Sequence, residues 1–85
     1  MYIQTQGAAT LPFYGYYTGS AVAWTYLDGS DGNSWKVFNS GDRLTVTNAG
    51  QVGIGTTSPT TMLEVRGATK LGGATAPAIK MVKLT

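Results

Sequence analysis

The chain contains no cysteine and no histidine. Disulfides are therefore excluded, and a structural zinc site would lack its usual ligands. The same two absences remove every Ser–His and Cys–His nucleophile pair, so any catalysis would fall to four carboxylates alone. Charge is scarce as well: six basic and four acidic residues make up 12% of the chain and leave a net charge of +2. These residues are scattered, with no basic stripe to follow a phosphate backbone, and nucleic acid is not an expected partner. No apolar run approaches the ~20 residues of a membrane-spanning helix, and membrane insertion is not expected.

Long helical periods are missing too. Glycine occurs twelve times and proline three, and one or the other interrupts nearly every ten residues. Between them lie β-branched and aromatic residues, which makes strands the default and the chain all-β. The segment 1–10 reads as a polar, extended lead-in. Residues 11–17 are dense in aromatics. Residues 21–27 alternate, with Val22, Trp24 and Tyr26 opposed to Ala21, Ala23 and Thr25. Residues 28–33 form a hairpin turn, because Asp-Gly and Gly-Asn supply the left-handed conformations that tight turns need. Strands are then expected over 35–38, 43–47, 51–55 and 62–66, with turns at 39–42 and 48–50. Residues 68–77 are small and flexible in composition and read as a linker. Residues 78–85 alternate again and read as a further strand or the start of a truncated next domain.

Size and composition point to association. A lone chain of this length buries only roughly 60% of its unfolded surface, and glycine packs nothing. Small proteins offset such a deficit with disulfides, metals or partner chains. With the first two lacking their residues, partner chains remain.

Several motifs invite chemistry and are better read as structure. Gly50–Gly55 resembles a phosphate loop in composition, but a strand rather than a helix follows Thr56-Thr57-Ser58-Pro59, so no helix N-terminus holds an anion. Asp28, Ser30, Asp31 and Asn33 miss the spacing of a calcium loop and its bidentate glutamate. No metal or cofactor is expected. Asp28 and Asp31 as a glycosidase pair would need a cleft that this small chain can hardly form, and no enzyme activity is expected. Alternation would bury Val22, Trp24, Trp35 and Val37 in a small aromatic-rich β bead over residues 1–43. Tyr14, Tyr16 and Tyr17, gathered around Gly15, are the candidate receptor contacts, since exposed tyrosine offers large area at low entropy cost.

Residues 44–67 carry the most specific signal, LTVTNAGQVGIGTTSPTTMLEVRG. This segment resembles the shaft of phage tail-fibre and related virion-fibre proteins, where a VGIGTTSP string precedes a further short strand. Gln51 and Met62 stand where the commonest versions have Asn and Lys, which leaves the apolar and glycine framework unchanged. The resemblance implies short strands in an intertwined homotrimeric fibre, a β-prism or triple β-helix-like shaft. It implies a trimer core of Leu44, Val46, Val52, Ile54, Leu63 and Val65. Gly50, Gly53, Gly55 and Pro59 would then be the backbone-special positions, with Gly53 and Gly55 letting backbones crowd near the axis. Met62 is grouped with the core, and Glu64 pairs with Arg66 on the outside. The implied function is a structural stalk in an extracellular viral fibre, tail or head, bound to other virion proteins and presenting or contributing to contact with a host glycan or protein. A bacterial surface-adhesin stalk and a glycan-binding module built on the tyrosines are the alternatives.

Overall fold

The computed structural model describes residues 1–70, and these are all-β. Six strands follow in chain order: β1 (Phe13–Tyr17), β2 (Val22–Asp28), β3 (Ser34–Phe38), β4 (Asp42–Val46), β5 (Val52–Ile54) and β6 (Leu63–Val65). They lie side by side in the same order in one open sheet. The first four connections are antiparallel turns, as short strands separated by Gly-, Asn- and Asp-rich segments dictate. The turn between β2 and β3 uses left-handed Gly32 and Asn33, which pairs Asp28 with Ser34 and fixes the register that follows.

The last connection differs. β6 runs parallel to β5, although only residues 55–62 join them. Parallel neighbours usually need a crossover of about a dozen residues or more. Here Gly55, at φ +78°, starts a tight crossover that passes over one face of the sheet. Gly53 lies beneath it. A side chain at that position would meet the Thr56 carbonyl at 2.5 Å and its methyl at 2.9 Å. The close approach expected at Gly53 is therefore made by the chain's own loop, with buried Pro59 at its far side. Gly53→Ala should cost roughly 1–3 kcal/mol by overpacking, lowering the thermal midpoint in a circular-dichroism melt. An unchanged midpoint would mean that the loop does not lie over Gly53.

Among the described residues the sheet has only one layer. Stable domains usually pack two, so that each apolar face finds a cover. No hydrophobic residue is buried among those described. The bead core expected from Val22, Trp24, Trp35 and Val37 does not form. The β2–β3 register sends Val22 and Trp24 to one face and Trp35 and Val37 to the other, and none of the four is buried. Nor does the sheet break at the expected boundary after residue 43, because β4 begins at Asp42 and pairs on both sides. Residues 68–70 carry no regular structure, while the rest of the expected linker and the strand over 78–85 lie outside the described residues.

Candidate association surface

Pairing partners in a sheet share a face, so the register assigns every strand side chain to one side or the other. One face carries two rows that run across the sheet. The first is Tyr14, Thr25, Val37, Leu44, Ile54 and Val65, one residue from each strand. The second is Leu27, Trp35, Val46, Val52 and Leu63, from β2 to β6. Neither row contains a charged residue. All six expected trimer-core residues lie in these two rows, beside Trp35 and Val37. None of them is buried: Ile54 is 44% exposed and Leu63 60%. With strands ~4.8 Å apart, the ribbon from β3 to β6 is about 15 Å wide. We refer to this side as the bare face.

The opposite face is covered over its middle by the chain itself. Its central row reads Phe13, Tyr26, Lys36, Thr45, Gly53 and Glu64. Lys36 is only 4% exposed and Thr45 fully buried. The Lys36 ammonium sits 2.8 Å from Asp28 Oδ2 and 2.8 Å from Asp31 Oδ2. Ser30 ties the other oxygen of Asp28, its backbone N–H donating at 3.0 Å and its hydroxyl at 2.5 Å. Burial pulls the Lys36 ammonium down, but hydrogen bonds to Asp28 and then Asp31 outweigh it and hold it above the ordinary lysine value. Burial likewise pushes Asp28 up, and the bonds from Lys36 and Ser30 reverse this, leaving its carboxyl below the usual range. Tyr26 reaches across to β4 and donates to Asp42 Oδ1 at 2.6 Å. Burial and that bond push its phenol up to about 12.

At the sheet's far edge, Glu64 accepts from the Thr60 backbone N–H at 3.0 Å and from its hydroxyl at 3.2 Å, closing the crossover loop. Arg66 Nε lies 3.1 Å from Glu64 Oε2, the pair expected from the sequence. These bonds, the Thr60 N–H first, hold the Glu64 carboxyl below its ordinary value. Met62 falls just outside β6 and is exposed rather than packed.

Among the backbone-special positions, Gly50 and Gly55 take left-handed φ values of +91° and +78°. The three tyrosines do not make one patch. Tyr14 and Tyr16 are on the bare face, edge to face with ring centres 5.1 Å apart. Tyr17 is paired with Val22 on the other face, and its hydroxyl donates to the Gly19 carbonyl at 3.1 Å. Its neighbours there include Trp24, which stacks on Phe38 at 4.4 Å and 3°. The Lys36–Asp28–Asp31 cluster was not anticipated from sequence. Its one signal is a lysine at the centre of an apolar strand, on the same alternation as Ser34 and Phe38.

The described residues divide into a face whose middle holds the Lys36 cluster, with the aromatics Phe13, Trp24 and Phe38 beside it, and a face with an uncharged apolar ribbon, flanked at its β1–β2 end by residues 1–3. No protein-family model matches the chain, and no curated protein matches it.

Proposed function

We propose that the chain is a structural subunit of a viral fibre, tail or head, in which three copies turn their bare faces toward a common axis and build an extracellular stalk. The reading assigns it no reaction and no cofactor. Other virion proteins would meet its ends, and a host glycan or protein its outer surface. The observation that carries the reading is the uncharged two-row ribbon on a sheet with no second layer among the described residues. Fully burying a Val, Leu or Ile side chain contributes roughly 1.5–3 kcal/mol. Half-exposed Ile54, Leu63 and Val65 have much of that still to gain, and a second copy turned toward this face would supply the cover. The number three comes from the resemblance of residues 44–67 to fibre shafts.

Under this reading folding and assembly are one event, and stability depends on chain concentration. Light scattering should return three times the 8.9 kDa chain mass. The melting midpoint should rise as the protein is concentrated. A compact monomer that melts cooperatively at micromolar concentration would end the proposal.

A further inference from the structure

Tyr14 and Tyr16 are the exposed residues most readily taken for a host-contact patch, yet they lie on the face that the proposed stalk turns inward. From their position we infer that this tyrosine pair is an intersubunit clasp, whose partner is the β5–β6 end of a second copy of the same chain. The inference rests on the trimeric reading above and goes further by naming which parts of two copies meet.

Three observations support it. Tyr14 heads the row that continues through Thr25, Val37, Leu44 and Ile54 to Val65, so it is continuous with the ribbon rather than apart from it. Its neighbours opposite on β2 are Thr25 and, beside Tyr16, Ala23. Beside these small side chains the two rings stand edge to face, each 54% exposed, with residues 1–3 sharing a depression with Tyr14. Finally, the two ends of the ribbon are unlike. β1 carries protruding aromatic rings, while the β6 end carries short aliphatic side chains, Ile54, Leu63 and Val65, all exposed. A cyclic trimer is a head-to-tail assembly, in which one patch must fit a different patch on the next copy. Rings at one end and exposed aliphatic side chains at the other satisfy that requirement, and neither end's row residues bring a charge that would have to be desolvated.

Nitration with tetranitromethane, read out by peptide mass spectrometry, tests the placement on the intact protein. Tyr2 and Tyr17, 93% and 74% exposed, are internal references. In the assembly Tyr14 and Tyr16 should react several-fold more slowly than both, and after unfolding in guanidinium all four should react alike. A Tyr14→Ser/Tyr16→Ser variant should raise the chain concentration at which the assembly half-dissociates by about tenfold, as removal of interface aromatics does. If the protein scatters as a trimer yet Tyr14 and Tyr16 nitrate as fast as Tyr2, the clasp is refuted while the trimeric reading stands. An unshifted dissociation midpoint in the double variant refutes it equally. A monomeric mass refutes both.

Discussion

Ile54→Asp should leave the protein at the mass of a single chain, without a cooperative melting transition. Ile54 sits between Leu44 and Val65 in the longer row of the bare face and is 44% exposed within its own chain. A carboxylate there harms nothing in an isolated sheet, because water can reach it. In a trimer built on that face, three such groups come close together away from solvent. Each unpaired charge costs several kcal/mol to desolvate, against a total stability of about 5–15 kcal/mol for a whole domain. The control is Val22→Asp, an equally exposed position on the opposite face, which should assemble as before. Light scattering and a thermal melt of the two variants decide the matter. An assembled, cooperatively melting Ile54→Asp protein would remove the bare face from the interface.

Lys36→Met should destabilise the protein by about 3 kcal/mol at neutral pH, the lower end of the range for breaking a buried pair, because Asp31 is half exposed. The methionine keeps much of the aliphatic stem. What is lost is the counter-charge of Asp28, which is 8% exposed and bonded to the ammonium. The pH dependence gives the sign. In the parent, the Asp28 carboxyl is held below its unfolded value of about 3.9, so its contribution is complete above that pH and lost as pH falls through the folded value. Lys36 is held above its unfolded value of about 10.4, so its contribution is complete below that pH and lost as pH rises further. The parent should therefore be flat in stability between about pH 4 and pH 10 with respect to this cluster. In the variant, burial acts on Asp28 without the ammonium, and protonation relieves the penalty. The gap between parent and variant should narrow on acidification toward about pH 4. Urea unfolding at fixed chain concentration and two pH values measures it. A gap that does not narrow would mean that Asp28 is not the group left uncompensated.

Much of this was readable in advance, and the failures have identifiable causes. The strand positions followed from turn chemistry: the Asp-Gly-rich segment before Ser34, Ser40-Gly41 before β4, and Asn48-Ala49-Gly50 before β5. Within a strand, period-two alternation correctly grouped Leu44 with Val46, Val52 with Ile54, and Leu63 with Val65. Alternation says nothing about how neighbouring strands align, however. The residues 29–33 set that alignment, and they bring Trp24 opposite Phe38 and Trp35 opposite Leu27. Two tryptophans that look like one core in the sequence thus end on opposite faces. An irregularity at Val37/Phe38 adds a second shift, which keeps Asp42 on the face of Tyr26. The tight parallel crossover was equally hidden, because it depends on Gly53 accepting the Thr56 carbonyl overhead. Lys36 escaped notice because its partners, Asp28 at the end of β2 and Asp31 in the turn after it, are drawn together only once the hairpin closes.

A sheet one residue thick gives alternate positions separate obligations. Between Ser34 and Phe38, the second and fourth side chains answer to the bare face, and the first, third and fifth to the other. Neither set reaches the other through the backbone. In the proposed trimer the surface bearing Phe13, Tyr17, Val22 and Trp24 faces away from the axis, so substitutions there leave the residues of the interface untouched. In such an assembly the outer appearance and the inner contacts would answer to separate sets of residues.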